Sequence, residues 1–152
     1  MSKEIMINIC KAKTEDSKVV AELFHNMWSG SAINDLQTKL LETISNNESE
    51  IFIAYNDNIP VGVAQCGLRK DYVEGTGSTP VGYLEGIYVI EKFRNKGIAA
   101  MLCKECEAWA LIIGCKEFAS DCELNNRESL EFYLSIGFTE ANRIICFTKE
   151  LF

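Results

Sequence analysis

Apolar and polar positions alternate at the start of the chain. Ile5, Ile7 and Ile9 oppose Met6, Asn8 and Cys10, which predicts a strand over residues 5–10. The period then changes. Val19, Val20, Leu23, Phe24 and Met27 recur at helical spacing behind Thr14 and Asp16, either of which can cap the helix, and Ser29-Gly30 ends it. Ile33, Leu36, Leu40, Leu41 and Ile44 make a second helix, closed by Asn46-Asn47. Residues 50–55 and 59–68 read as hairpin strands around the turn Asn56-Asp57-Asn58. Residues 70–79 form a loop with two glycines, and 81–90 a long apolar strand. A long helix follows, with Ile98, Met101, Leu102, Cys106, Trp109 and Ile113 on one stripe and Gly114 as its stop. Residues 117–122 read as a short strand, 126–135 as a helix ended by Gly137, and 143–151 as a final strand. This order predicts an α/β fold with a mixed sheet. It is not a dinucleotide-binding fold, because no Gly-x-Gly-x-x-Gly follows a strand.

Length and charge narrow the function. At roughly 150 residues per domain, 152 residues make a single domain, 1–152. Hydrophobic residues are 47% and charged residues 24%, an ordinary globular balance that argues against disorder. Asp and Glu number 22 against 15 Lys and Arg, a net charge of −7. The basic footprint of a nucleic-acid binder is missing, and the acidic surface favours cationic partners as well as solubility. Seven cysteines show no disulfide framework. Cys103 and Cys106 form one CxxC, but His25 is the only histidine, so no metal site is expected. Reduced thiols fit the cytoplasm. The first 16 residues lack the apolar core of a signal peptide, and no stretch approaches the roughly 18 apolar residues of a membrane span. A soluble cytoplasmic protein with no membrane partner is expected.

Candidate chemistry begins at Arg94-Asn95-Lys96-Gly97-Ile98-Ala99, between an apolar strand and a long helix. Helix-start N–H groups carry partial positive charge, Gly97 lets an anion approach the backbone, Ala99 keeps the next turn small, and Arg94 and Lys96 add charge. The hexapeptide suits a pyrophosphate. Taken alone, it suits an ordinary strand–helix turn equally well. Further on, Asn126 precedes Tyr133, which precedes Gly137-Phe138.

With these segments together, the chain resembles the GNAT superfamily of acetyl-CoA-dependent N-acetyltransferases. Residues 89–99 look like its pyrophosphate loop. Residues 126–138 look like the helix flanking the pantetheine arm, with Asn126 at its start. Within the superfamily, three segments are similar to the aminoglycoside 6′-N-acetyltransferases: Asp71-Tyr72-Val73-Glu74-Gly75-Thr76, Tyr83-Leu84-Glu85-Gly86-Ile87-Tyr88-Val89 and Glu117-Phe118-Ala119-Ser120-Asp121. The resemblance implies the GNAT fold, a splayed central sheet flanked by helices with acetyl-CoA between two diverging parallel strands. It implies acetyl transfer to the 6′-amine of a cationic antibiotic by direct attack in a ternary complex, with no acyl-enzyme. Cys122 lies near the cleft, but nothing in its surroundings activates it. The backbone of Ile87, Tyr88 and Val89 would hold the pantetheine amides and the thioester oxygen. Tyr133 matches the tyrosine assigned to protonating the thiolate; its alternative is a packed core aromatic.

The chemistry needs a base. Keeping a lysine-like amine of pKa about 10.4 neutral at pH 7 costs roughly 4.6 kcal/mol, and a carboxylate can take its proton. Glu85 sits in an otherwise apolar strand, where a charge is costly unless it is paired, lines a cleft or points to solvent. It reads as the base or the amine anchor. Asp121 ends the next strand, where ligands of parallel sheets bind; a turn or cap role is its alternative. Carried over from the family, Trp28 and Tyr72 wall the antibiotic pocket, although each also suits plain packing. Asp35 and Glu74 read as surface residues that could add negative charge. Asn142 stands where some relatives have an acidic residue that contacts an amine. His25 is given no role. Relatives are often dimers, and 143–151 is apolar enough to pair across an interface, so a homodimer is expected. Two rivals remain: the same transfer to another amine or a protein N-terminus, and an acyl-CoA-binding module without catalysis.

Overall fold

The computed structural model describes residues 5–152. The elements run β1 (Ile7–Lys11), α1 (Ser17–His25), α2 (Ile33–Ile44), β2 (Ser49–Asn56), β3 (Ile59–Arg69), β4 (Val81–Val89), α3 (Ile98–Ile113), β5 (Phe118–Ala119) and α4 (Arg127–Ser135). The sheet order is β1-β2-β3-β4-β5, antiparallel until the last pair, which is parallel. Asp57 turns the β2–β3 hairpin at φ 54, a left-handed conformation that Asp tolerates.

Both faces of the sheet are covered, which is why its central strands read as continuous apolar runs. On β2, Ile51 and Ile53 join Val20, Phe24, Leu36 and Leu40 of α1 and α2, while Phe52 and Ala54 join Leu102, Cys106 and Trp109 of α3. The buried positions of α3 are Ile98, Leu102, Cys103, Cys106, Trp109 and Ala110. Met101 and Ile113, placed on the stripe by spacing alone, are exposed, so the buried face is rotated toward Cys103 and Ala110.

Two features shape the site. The β3–β4 register shifts: Gln65 pairs with Gly86 and Cys66 with Leu84, so Glu85 is an extra residue without a partner on β3. Such a bulge re-aims side chains. Here Leu84 and Ile87 pack toward α3, while an ideal Cβ on Gly86 would lie 2.7 Å from the Trp28 ring, beside α1. In addition, β4 and β5 pair only through Gly82–Phe118 and Tyr83–Ala119. The predicted strand 117–122 is thus cut to two residues, because the two strands part after Ala119.

The predicted final strand, 143–151, is not formed. Residues 138–152 carry no helix or strand, and β5 remains the sheet edge. A strand needs a neighbour for its backbone groups, and within one chain this segment has none. Ile144 is 66% and Phe147 88% exposed. Its local anchor lies just before it, where Asn142 Nδ2 donates to Glu74 Oε1 at 2.8 Å and Ala141 sits against Gly75.

Candidate active site

The site where β4 and β5 part draws on β3, β4, α4 and the segments that follow α1 and β5. Tyr83, the last β4 residue paired with β5, donates its hydroxyl to Asp121 Oδ2. Burial, followed by this hydrogen bond, pushes the Tyr83 phenol well above its ordinary value. The Arg69 guanidinium lies over the Tyr83 ring, 4.0 Å from its centroid. Its Nε and Nη2 donate to the two Glu85 carboxylate oxygens at 2.9 and 2.8 Å. Donating these hydrogen bonds to Glu85 holds Arg69 more firmly protonated than usual. With both partners partly exposed, this ion pair contributes about 1 kcal/mol or less to stability, so its importance is positional.

Glu85 and Asp121 are therefore joined through Arg69 and Tyr83. Trp28 stacks on Phe24 with centroids 4.4 Å apart and lies against Gly86, the residue after Glu85, where any side chain would displace the indole. Tyr72 is 76% exposed on the 70–79 loop. Asn142 meets Glu74 rather than the carboxylate pair. Asp35 is exposed on α2, and His25 is half-buried in the last turn of α1.

Across the parted strands lies a second chain of contacts. Tyr133 of α4 packs edge-on against Phe138, and its hydroxyl is 2.8 Å from Ser120 Oγ, which donates to the Leu84 carbonyl at 2.9 Å. Burial pushes the Tyr133 phenol up, so it stays neutral. Tyr83, Phe118, Asp121, Tyr133 and Phe138 share the wall of a groove of about 960 Å³ beside β5.

The far end of β4 leads to the proposed phosphate loop. Asn95 (φ 61) and Gly97 (φ 81) are both left-handed, and Gly97 caps α3. Backbone turns of this kind present successive N–H groups to an anion. An ideal Cβ on Gly97 would meet nothing within 4 Å, so the helix start is open. The residues fit a pyrophosphate. Arg94 turns back, its Nε donating to the Val89 carbonyl at 2.8 Å and its guanidinium 5.5 Å from the Tyr88 ring. Lys96 is exposed, Ile98 is core, and Ala99 packs against the α3-side core. Ile87 and Val89 pack toward α3, and Tyr88 toward α1 and α2. Asn126 caps α4, its Oδ1 accepting from Ser129 N at 3.1 Å. Among the described residues, no group of three or more His, Cys, Asp or Glu side chains is placed to hold a metal.

A prediction follows for this loop. Gly97→Glu sets a negative charge at the helix start and abolishes micromolar acetyl-CoA binding, whereas Gly97→Ala costs about 1–2 kcal/mol of left-handed strain and leaves most binding. Calorimetry on both variants checks it; undiminished binding by Gly97→Glu contradicts the assignment.

The sequence reading missed Arg69, Tyr83 and Ser120. Tyr83 carried a signal, two residues before Glu85 in the same apolar strand. Ser120 lies inside Glu117-Phe118-Ala119-Ser120-Asp121, a segment that carries the family resemblance. Arg69 carried none, because its pairing depends on the bulge.

Comparisons with known proteins bear on all of this. The Acetyltransferase (GNAT) family matches residues 18–138. An aminoglycoside N(6′)-acetyltransferase type 1 from Acinetobacter haemolyticus is 35% identical over 145 residues, covering 95% of this chain and 99% of the relative. The solved structure of AAC(6′)-Iy with the bisubstrate analogue CoA-S-monomethyl-acetylneamine superposes with a TM-score of 0.92 at 30% identity, covering 96% of this chain and 99% of that one. The same enzyme in complex with CoA gives a TM-score of 0.94 at 29% identity, covering 99% of both chains. With four-fifths of its residues inside the family match and its relatives aligned nearly end to end, the chain belongs to the GNAT acetyltransferase family.

Proposed function

We propose that the protein transfers the acetyl group of acetyl-CoA to the 6′-amine of aminoglycoside antibiotics, so conferring resistance, with residues 1–152 acting as one catalytic domain. The observation that carries this reading is the Glu85–Arg69–Tyr83–Asp121 network at the point where β4 and β5 part, with Trp28 against the next residue, Gly86, and an open helix start at the far end of β4. The site is acidic and aromatic on the acceptor side, as a polycation requires, and presents backbone N–H groups on the cofactor side. The names of the relatives point to the same reaction.

In this mechanism Glu85, directly or through a water, takes the proton of the attacking ammonium group. The neutral amine nitrogen then bonds to the thioester carbonyl carbon to give a tetrahedral oxyanion, and as this collapses the carbon–sulfur bond breaks and the nitrogen gives up its second proton to water. Backbone N–H groups of β4 beyond the paired stretch stabilise the oxyanion. Tyr133, neutral through burial, supplies the proton for the leaving thiolate. Asp121 and Glu74 hold further amines of the acceptor, Trp28 and Tyr72 wall it, and Asn142 keeps Glu74 in place. Asp121→Asn weakens acceptor binding by about 1.5–3 kcal/mol for a lost charged hydrogen bond, read as acceptor affinity by calorimetry. A coenzyme A release assay over a panel of amines tests the proposal. Rapid turnover of 6′-amino aminoglycosides supports it. Turnover of a small polyamine alone moves the activity to another acceptor, and no release with any amine leaves a binding module.

The protein works in the cytoplasm as a homodimer, in which residues 143–151 pair with the free edge of β5 in a second copy. All seven cysteines are free, and Ile144, Ile145 and Phe147 are exposed, leaving apolar surface for a second copy to cover. Truncation after residue 142 gives a monomer in sedimentation analysis if this assembly is right, and an unchanged dimer if it is wrong. Among the described residues, no helix is long and apolar enough to cross a membrane.

A further inference from the structure

We propose that Arg69 is a positioning residue that orients the Glu85 carboxylate and sets how strongly the site draws in a polycation; this rests on the function proposed above. Arg69 is the last residue of β3, and its side chain is fixed from two directions. The planar guanidinium lies 4.0 Å over the Tyr83 ring, and its fork takes both oxygens of Glu85 at 2.9 and 2.8 Å. Tyr83 in turn holds Asp121. One cation thus organises Glu85 and Asp121 together.

The pairing has two consequences. The first is geometric. A carboxylate offers about four lone-pair positions, and the fork occupies two. The other two stay available in a fixed plane, so Glu85 meets an incoming amine in one orientation rather than many. The second is electrostatic. Glu85 and Asp121 carry two negative charges, and Arg69 removes one. The acceptor then binds tightly enough to be placed, but not so tightly in the ground state that the gain is lost at the transition state. A bidentate fork is specific to arginine, since lysine carries the charge without the plane.

The test uses the full chain carrying Arg69→Met, which keeps an apolar stem over Tyr83 and removes the fork, and Arg69→Lys, which keeps the charge. With a 6′-amino aminoglycoside, Arg69→Met lowers kcat about tenfold and lowers the acceptor KM about three- to tenfold, while the acetyl-CoA KM stays unchanged. The acceptor KM also rises more steeply with salt, because the uncompensated charge is greater. Arg69→Lys restores the wild-type acceptor KM but only part of kcat. In a Glu85→Gln background, Arg69→Met lowers kcat no further, because the carboxylate it orients is gone, while the acceptor KM still falls, because a positive charge is still removed.

Three results overturn the proposal: unchanged kcat and KM in Arg69→Met, a raised acceptor KM, which makes Arg69 a direct ligand of the antibiotic, or the full loss of kcat persisting beside Glu85→Gln. Calorimetry with the same aminoglycoside reads the charge effect without turnover. If wild type acetylates no aminoglycoside yet Arg69→Met binds it more tightly, the proposed function fails and only the charge role of Arg69 stands. If wild type is active and Arg69→Met matches it in rate and affinity, only the role of Arg69 fails. Thermal melting of both variants, with Arg69→Lys as the milder change, separates these outcomes from loss of fold.

Discussion

Tyr133→Phe lowers the maximal rate by about 10²-fold or more, toward the 10⁴-fold upper end of general-acid effects, and leaves acceptor binding intact. The variant removes one oxygen and keeps the ring among Phe132 and Phe138. What is lost is the hydroxyl that meets Ser120 and, through it, the Leu84 carbonyl at the parting of β4 and β5. Stability falls by only about 1 kcal/mol for that hydrogen bond. The pH dependence has a definite sign. Because burial raises the Tyr133 pKa, the folded protein keeps this proton when the unfolded chain has begun to lose it, above about pH 10. The linked stability is present in full below that pH and is lost as pH rises through the folded-state value. Below pH 10, ionisation of Tyr133 sets no alkaline limb in the rate profile. Single-turnover rates at pH 7–10 and melting curves at pH 9–11 check both statements. Full activity in the variant makes Tyr133 a packing residue and leaves the fold and cofactor site as described.

Glu85→Gln is the second large effect, a fall of about 10²-fold or more in rate. The amide keeps the shape and one acceptor oxygen, so Arg69 retains a partner on the side chain. Charge and basicity are lost. The attacking amine then has to shed its proton to water alone, against the roughly 4.6 kcal/mol that neutrality costs near pH 7. The deficit therefore shrinks as pH rises toward the amine's own pKa, because free base becomes available without help. A rate ratio between wild type and variant that is flat from pH 6 to 9 assigns Glu85 to anchoring rather than proton transfer.

The reading of these residues from sequence had a physical limit. Strands β2, β3 and β4 were legible because burial on both faces leaves long apolar runs, and α3 because Gly97 and Gly114 bracket it at φ 81 and 106. Glu85 stood out because a carboxylate in such a run demands a reason. Its environment was not legible. The bulge that leaves Glu85 unpaired, and the approach of Arg69, depend on register between strands distant in sequence. Asn126 was visible as a helix start, and it does cap α4. The segment 143–151 has the composition of a strand, yet composition cannot supply a neighbour, and within one chain it has none. The strand at Phe118–Ala119 is short for a related reason, since pairing stops where β4 and β5 part to form the site.

The central claim is acetylation at one nitrogen, and a matched pair of acceptors tests it most directly. Purified protein saturated with acetyl-CoA is given a 6′-amino aminoglycoside and, separately, its 6′-hydroxyl analogue. Coenzyme A release is followed for each, and mass spectrometry locates the acetyl group. The account predicts rapid release with the first, the acetyl group on the 6′-nitrogen, and no acetylation at that position in the second. Equal reaction of both, or reaction of neither while a small polyamine is acetylated quickly, contradicts it.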